Sequence, residues 1–146
     1  LDLPWEDDAF DAVCTSPTYG NRLADSHNAS DPERRRSYTH DLGRQLSPDN
    51  SGAMQWGQKY RDFHMHAWSE AVRVLRPGGR FVLNIKDHIR AGERQYVTDW
   101  HIGALRDLGM AYAYAVTAPT GHLRPATNTA RTEGEQVIVF DKAVAL

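Results

Sequence analysis

The 146 residues suffice for one domain with a single core, and 40% hydrophobic against 25% charged residues is the balance of a globular chain. No apolar run approaches the roughly 18–20 residues of a membrane span, and no basic-then-apolar leader opens the sequence, which predicts a cytoplasmic protein without a membrane partner. The net charge of −2 is unevenly spread, because the first eleven residues carry five acids and no base, which leaves +3 on the rest.

The basic residues comprise 14 arginines and three lysines. Arginine suits bidentate contacts to phosphates and bases, although biased codon usage would produce the same excess. The single cysteine, Cys14, rules out a disulfide framework and points to a reducing compartment.

Residues 1–9 read as an acidic loop. Phe10, Ala12, Val13 and Cys14 then form an apolar run, expected to be a strand buried on both faces with Cys14 as packing. The run stops at the polar turn Ser16-Pro17-Thr18-Tyr19-Gly20. From residue 21 to about 55 no apolar period survives, a length unusual for a plain connection. Within it Arg34, Arg35, Arg36, Tyr38, His40 and Arg44 make a basic, aromatic-bearing cluster. That cluster reads equally as a nucleic-acid clamp or as a solvated loop.

From Trp56 to Leu75 the spacing predicts a helix, with Tyr60, Phe63, Ala67, Ala71 and Val74 on its apolar stripe and His64, Trp68, Val72 and Leu75 widening it. Pro77-Gly78-Gly79 is expected to end that helix. Residues 80–85 read as a second buried strand, a helix follows at about 96–108 with Gly109 as its stop, and strands at 111–116 and 135–140 close the chain. The order is β, long loop, α, β, α, β, β, in which the crossover makes the first two strands parallel.

In open α/β sheets ligands sit beyond the carboxyl ends of the strands. Ser16 to Tyr19 end the first strand, and Asn84 and Asp87 end the second, so all lie on that edge. A hydroxyl, a prolyl carbonyl and a flat aromatic within four residues suit the holding of a planar base by its amino group. Rival sites are absent from the sequence. His64 and His66 lie about 200° apart around a helix and cannot share a metal. No zinc-like spacing and no Gly-x-Ser-x-Gly turn occur, and Gly78-Gly79 precede a strand where a phosphate loop would follow one.

The segment Ser16-Pro17-Thr18-Tyr19 resembles motif IV, Asp/Asn/Ser-Pro-Pro-Tyr/Phe, of the S-adenosylmethionine-dependent amino-methyltransferases of DNA, with Thr18 in place of the second proline. The resemblance covers almost the whole chain. It implies an α/β architecture, a partial Rossmann-like class I methyltransferase fold from its fourth to its seventh strand, with Leu1 just after the third. Residues 1–146 would form one partial catalytic domain carrying an insertion at about 21–55.

The resemblance also implies roles. Ser16 accepts a hydrogen bond from the target amine, the Pro17 carbonyl is the second acceptor, Thr18 completes the turn and Tyr19 stacks on a flipped base. Asp2, Leu3 and Ser16 would face the cofactor. Gly20, Asn21, Arg22, Arg34, Arg35, Arg36, Asn84 and Asp87 would face nucleic acid. Serine at the first position leans toward cytosine N4 over adenine N6. Thr18 restores a backbone N–H and frees φ, which predicts a turn less rigid than one with two prolines.

The family's Gly-rich cofactor turn does not occur in this sequence. The expectation is therefore a fragment that binds the cofactor poorly, is inactive alone, and leaves strand 10–15 as a bare edge open to pairing. Two other readings stay open: methyl transfer to RNA or a small molecule, and a catalytically silent nucleic-acid-binding remnant.

Overall fold

The computed structural model describes residues 1–20, 42–44, 46–119 and 134–144. Its elements are β1 (Phe10–Thr15), a 3-10 turn (Ser51–Ala53), α1 (Gln58–Val74), β2 (Leu75–Ile85), β3 (His88–Arg90), β4 (Glu93–Gln95), α2 (Val97–Asp107), β5 (Met110–Ala118) and β6 (Glu135–Lys142). A four-stranded sheet runs in the order β1-β2-β6-β5, and β3 and β4 form a separate two-stranded hairpin. β1 and β2 are parallel, as the crossover requires, while β6 runs antiparallel to both β2 and β5.

The core follows the strand alternation. Phe81, Leu83 and Ile85 of β2 are fully buried, and Ile138 and Phe140 of β6 join them. Trp68 and Leu75, beside Val97 and Leu105 of α2, complete the cluster. The buried face of α1 is Tyr60, His64, Trp68, Ala71 and Val74. The stripe thus lies a little to one side of that expected, with Phe63 and Ala67 half-buried and His64 inside.

Three expectations need correction. β1 is not buried on both faces: Asp11, Ala12 and Cys14 are exposed, and Ala12 and Cys14 share with Arg80 and Val82 the sheet face opposite the core cluster, while Val13 packs against that cluster. Cys14 is accordingly an exposed thiol and not packing. Pro77-Gly78-Gly79 does not separate helix from strand. α1 passes directly into β2 at Leu75, which pairs with Phe10, and pairing resumes at Ala12 with Arg80. Residues 76–79 therefore bulge opposite Asp11 alone. A Cβ on Gly79 would stand 2.9 Å from the Asp11 carbonyl oxygen, so the bulge needs glycine there.

The β3–β4 hairpin was not legible in the periodicity. Ala91 and Gly92, at φ 50° and 80°, form its two-residue reversal. The N-terminal loop is tied down by Arg73, whose guanidinium donates to Glu70, Asp7 and the Leu3 and Trp5 carbonyls. No helix among the described residues is long and apolar enough to cross a membrane.

Candidate active site

The turn after β1 emerges at the carboxyl edge of the sheet. Ser16 is exposed there, and Pro17, Thr18 and Tyr19 are half-buried. The Ser16 Oγ lies 3.4 Å from the Tyr19 Oη. Tyr19 packs the rest of its ring against the core cluster. Burial raises its phenol pKa above the usual value, the Ser16 hydroxyl works the other way, and the nearby Glu135 carboxylate raises it further. The ring thus stays protonated with its hydroxyl between Ser16 and Glu135.

Thr18 is held on two sides. Its Oγ1 donates to the Ser51 carbonyl at 3.1 Å, and its own carbonyl accepts from the Tyr60 hydroxyl at 2.5 Å. Further along the turn, the Trp56 amide donates to the Gly20 carbonyl at 2.6 Å. Gly20 has φ 69°, and a Cβ there would meet the Trp56 backbone nitrogen at 3.0 Å. Sequence reasoning counted the freedom that a missing proline restores. The fold removes much of it through tertiary hydrogen bonds that a local reading does not contain.

Asn84, at the end of β2, donates from Nδ2 to Glu135 Oε2 at 2.7 Å, while its Oδ1 is buried without a hydrogen-bond partner among the described residues. The His88 ring nitrogens are likewise buried without a well-formed hydrogen bond, and the ring lies against the Tyr19 backbone. Burial holds the His88 pKa below its usual value. Ser16, Tyr19, Glu135 and Asn84 therefore form one polar cluster at the sheet edge, with His88 beside it.

Asp87 has an internal role. It is 5% exposed, accepts from Arg94 Nε at 2.8 Å, and accepts the Thr98 amide at 2.8 Å. The second contact caps the N-terminus of α2, where Tyr96 supplies no side-chain cap. Both carboxylate oxygens of Asp87 are thus engaged within the fold, and the residue also lines a cavity with Arg94 and Tyr96.

Asp2 is exposed, with Oδ1 3.8 Å from His66 Nε2, and Leu3 donates its amide N–H to the Glu70 carboxylate while its carbonyl accepts from the Arg73 guanidinium. Their neighbour Leu1 lines a cavity of about 820 Å³ shared with Ser51, Met54, Phe63 and His66. Asn21, Arg22, Arg34, Arg35 and Arg36 lie outside the described residues. No group of three or more metal-ligating side chains occurs among the described residues.

Sequence reasoning missed Glu135, Tyr60 and Ser51. Glu135 reads as the first residue of a strand, and only the antiparallel register of β6 on β2 brings it to Asn84. Tyr60 reads as one more apolar position on α1, and its hydroxyl gains meaning only from the 42-residue contact with Thr18.

The described residues form a mixed α/β arrangement similar to that of solved methyltransferase structures. Among solved structures, the chain is similar to a provisionally assigned DNA modification methylase of Thermus thermophilus, with 18% identity, TM-score 0.61, and coverage of 98% of this chain and 50% of that one. The same Thermus protein complexed with S-adenosyl-L-methionine gives 18% identity and TM-score 0.60 over 97% of this chain and 49% of that one. A chain in the complex of the Haloferax volcanii Trm112 methyltransferase activator with a provisionally assigned methyltransferase gives 16% identity and TM-score 0.51, covering 99% and 59%. The chain thus spans about half the length of the Thermus protein. No protein-family model matches the sequence, and no curated protein matches it.

Proposed function

We propose that this chain is the catalytic portion of an S-adenosylmethionine-dependent amino-methyltransferase of DNA, the half running from the fourth to the seventh strand of that fold. The observation that carries the reading is the exposed Ser16 hydroxyl beside the half-buried Tyr19, on a turn held by Ser51, Tyr60 and Trp56. The name of the Thermus protein supports DNA as the substrate.

Methyl transfer to an exocyclic amine is limited by the nitrogen, whose lone pair is delocalised into the heterocycle. Acceptors on its two N–H groups favour a pyramidal nitrogen, and positioning with fixed dipoles supplies most of the rate. Ser16 Oγ and the Pro17 carbonyl are assigned as those acceptors, and Tyr19 as the stacking surface for a flipped base. Serine at the first position favours cytosine N4 slightly. Asn84, with a buried acceptor that lacks a hydrogen-bond partner among the described residues, is assigned to the base edge. Gly20, Asn21, Arg22, Arg34, Arg35 and Arg36 are assigned to the nucleic-acid backbone.

The cavity beside Leu1 is of small-molecule size and reaches Ser51, the residue that accepts the Thr18 hydroxyl, so it fits a ligand lying alongside the turn. Asp2, Leu3 and Ser16 are assigned to the cofactor by the resemblance of the chain to the amino-methyltransferases, and Leu1, the neighbour of Asp2, lines that cavity. When bound, its sulfonium supplies an already reactive methyl group. The Gly-rich turn that would complete the cradle is not in this sequence, so the isolated chain is assigned as inactive.

The test is methyl transfer from labelled S-adenosylmethionine to DNA by the native polypeptide that carries this sequence. Wild type should label DNA, and Ser16→Ala and Tyr19→Ala should each lower kcat/KM at least about tenfold. Labelling of RNA or of free nucleosides alone would move the assignment to those substrates. DNA binding without labelling would favour a silent binding remnant.

A further inference from the structure

A chain of hydrogen bonds runs through the interior to the turn. Trp68 Nε1 donates to His101 Nδ1 at 2.8 Å, His101 Nε2 lies 2.9 Å from the Tyr60 Oη, and the Tyr60 hydroxyl donates to the Thr18 carbonyl at 2.5 Å. His101 and Tyr60 are both 0% exposed. The indole N–H can only donate, so Nδ1 of His101 must carry a lone pair. The single proton of the neutral imidazole then sits on Nε2 and points at the Tyr60 oxygen. That oxygen, already an acceptor, has its own proton free for Thr18. Each link fixes the direction of the next.

We propose that Tyr60, His101 and Trp68 are positioning residues that set the Ser16-Pro17-Thr18-Tyr19 turn from the packed interface of α1 with α2. The proposal deepens the functional reading above and rests on it for the role of the turn. The physical reason is the geometry of the anchor point. Thr18 stands where a second proline would stiffen the backbone, and the relay grips the carbonyl of that same residue. Its other end lies in an aromatic cluster of the core, where Trp68 meets Phe81 edge-on at 5.4 Å and His101 meets Trp100 at 4.9 Å. A directional chain in a packed interior transmits rigidity because its members have one hydrogen-bonded arrangement available. The preorganisation that proline would provide locally is supplied here from a distance.

The first test is spectroscopic and uses the wild-type chain. Histidine ¹⁵N correlation spectra should show His101 as one tautomer, with its proton on Nε2 and a lone pair on Nδ1. A proton on Nδ1, or averaging between tautomers, would overturn the relay.

The second test uses Tyr60→Phe, which removes one hydroxyl and keeps the ring. The Trp56 amide, bonded to the Gly20 carbonyl at the far end of the turn, should exchange with solvent about fivefold to tenfold faster, while amides within α1 keep their rates. An unchanged Trp56 rate, or faster exchange throughout α1, would overturn the positioning role. Trp68→Phe should give a smaller increase at Trp56 in the same pattern. In the native polypeptide, Tyr60→Phe should lower kcat with KM for the cofactor unchanged, and an unchanged kcat would overturn the catalytic part of the proposal. If wild type transfers no methyl group, the functional assignment fails, and the tautomer and exchange results still decide the relay.

Discussion

Asn84 Nδ2 donates to Glu135 Oε2 at 2.7 Å, joining the end of β2 to the start of β6 next to Tyr19. The Asn84 Oδ1 is already buried without a hydrogen-bond partner among the described residues, so this bond is the one described contact that its amide makes. Glu135→Ala should therefore leave a buried amide unsatisfied and cost about 1–3 kcal/mol in urea unfolding. Glu135→Gln should cost less, because its side-chain oxygen can still accept. Equal losses for the two variants would show that charge, and not hydrogen bonding, is what the site uses.

Asp87 and Arg94 should respond asymmetrically. The Asp87 side chain is 3% exposed and serves both the Arg94 guanidinium and the α2 N-terminus, whereas Arg94 is half in solvent. Asp87→Ala should cost about 2–4 kcal/mol through the lost cap and ion pair. Arg94→Ala should cost about 1 kcal/mol or less. Paired denaturant curves check this, and a larger loss for Arg94 would contradict the capping role.

His101 makes stability depend on pH. Burial, with the neighbouring His64 adding to it, lowers its pKa from 6.5 to about 3. Below pH 6.5 the unfolded chain takes up a proton that the folded one refuses, so stability should fall as pH drops from about 6.5 toward 3 and be flat above that window as far as His101 is concerned. His64, held low mainly by burial, acts in the same direction. So does Glu70, which its hydrogen bond from Arg73 and then that from the Leu3 amide hold at about 2, well below 4.5. Its contribution is complete above pH 4.5 and is lost on approach to pH 2. Unfolding midpoints between pH 8 and pH 4 test the sign, and a midpoint rising on acidification would refute it.

The isolated chain should bind S-adenosylmethionine weakly, with Kd above about 100 μM, because the sequence contains no Gly-rich turn to approach the cofactor backbone to backbone. Isothermal titration measures this directly. Binding in the low micromolar range would mean that the residues beside the Leu1 cavity suffice.

Much of the fold was legible because its signals are local. The alternation through Phe81, Leu83 and Ile85 marks β2, the spacing of Tyr60, Trp68 and Ala71 marks α1, and Gly109 at φ 85° stops α2 where a left-handed residue is needed. Less was legible wherever long-range pairing decides. The Phe10–Cys14 run reads as buried on both faces, yet only Phe10 and Val13 are half-buried, and Ala12 and Cys14 point to the face that the core cluster does not occupy. Pro77-Gly78-Gly79 reads as a stop, yet parallel pairing with β1 absorbs it as a bulge. At the site, Ser16 and Tyr19 stand out by type, whereas Glu135 depends on a strand register and His101 on helix packing.

The exposed thiol of Cys14 has a practical consequence, since it is the sole cysteine of the chain and lies on the sheet face opposite the core cluster. A maleimide dye placed there would label a single atom without unfolding the protein. Its rate of attachment, measured with and without any candidate neighbour, would report on whether a partner has come to cover that face of the sheet.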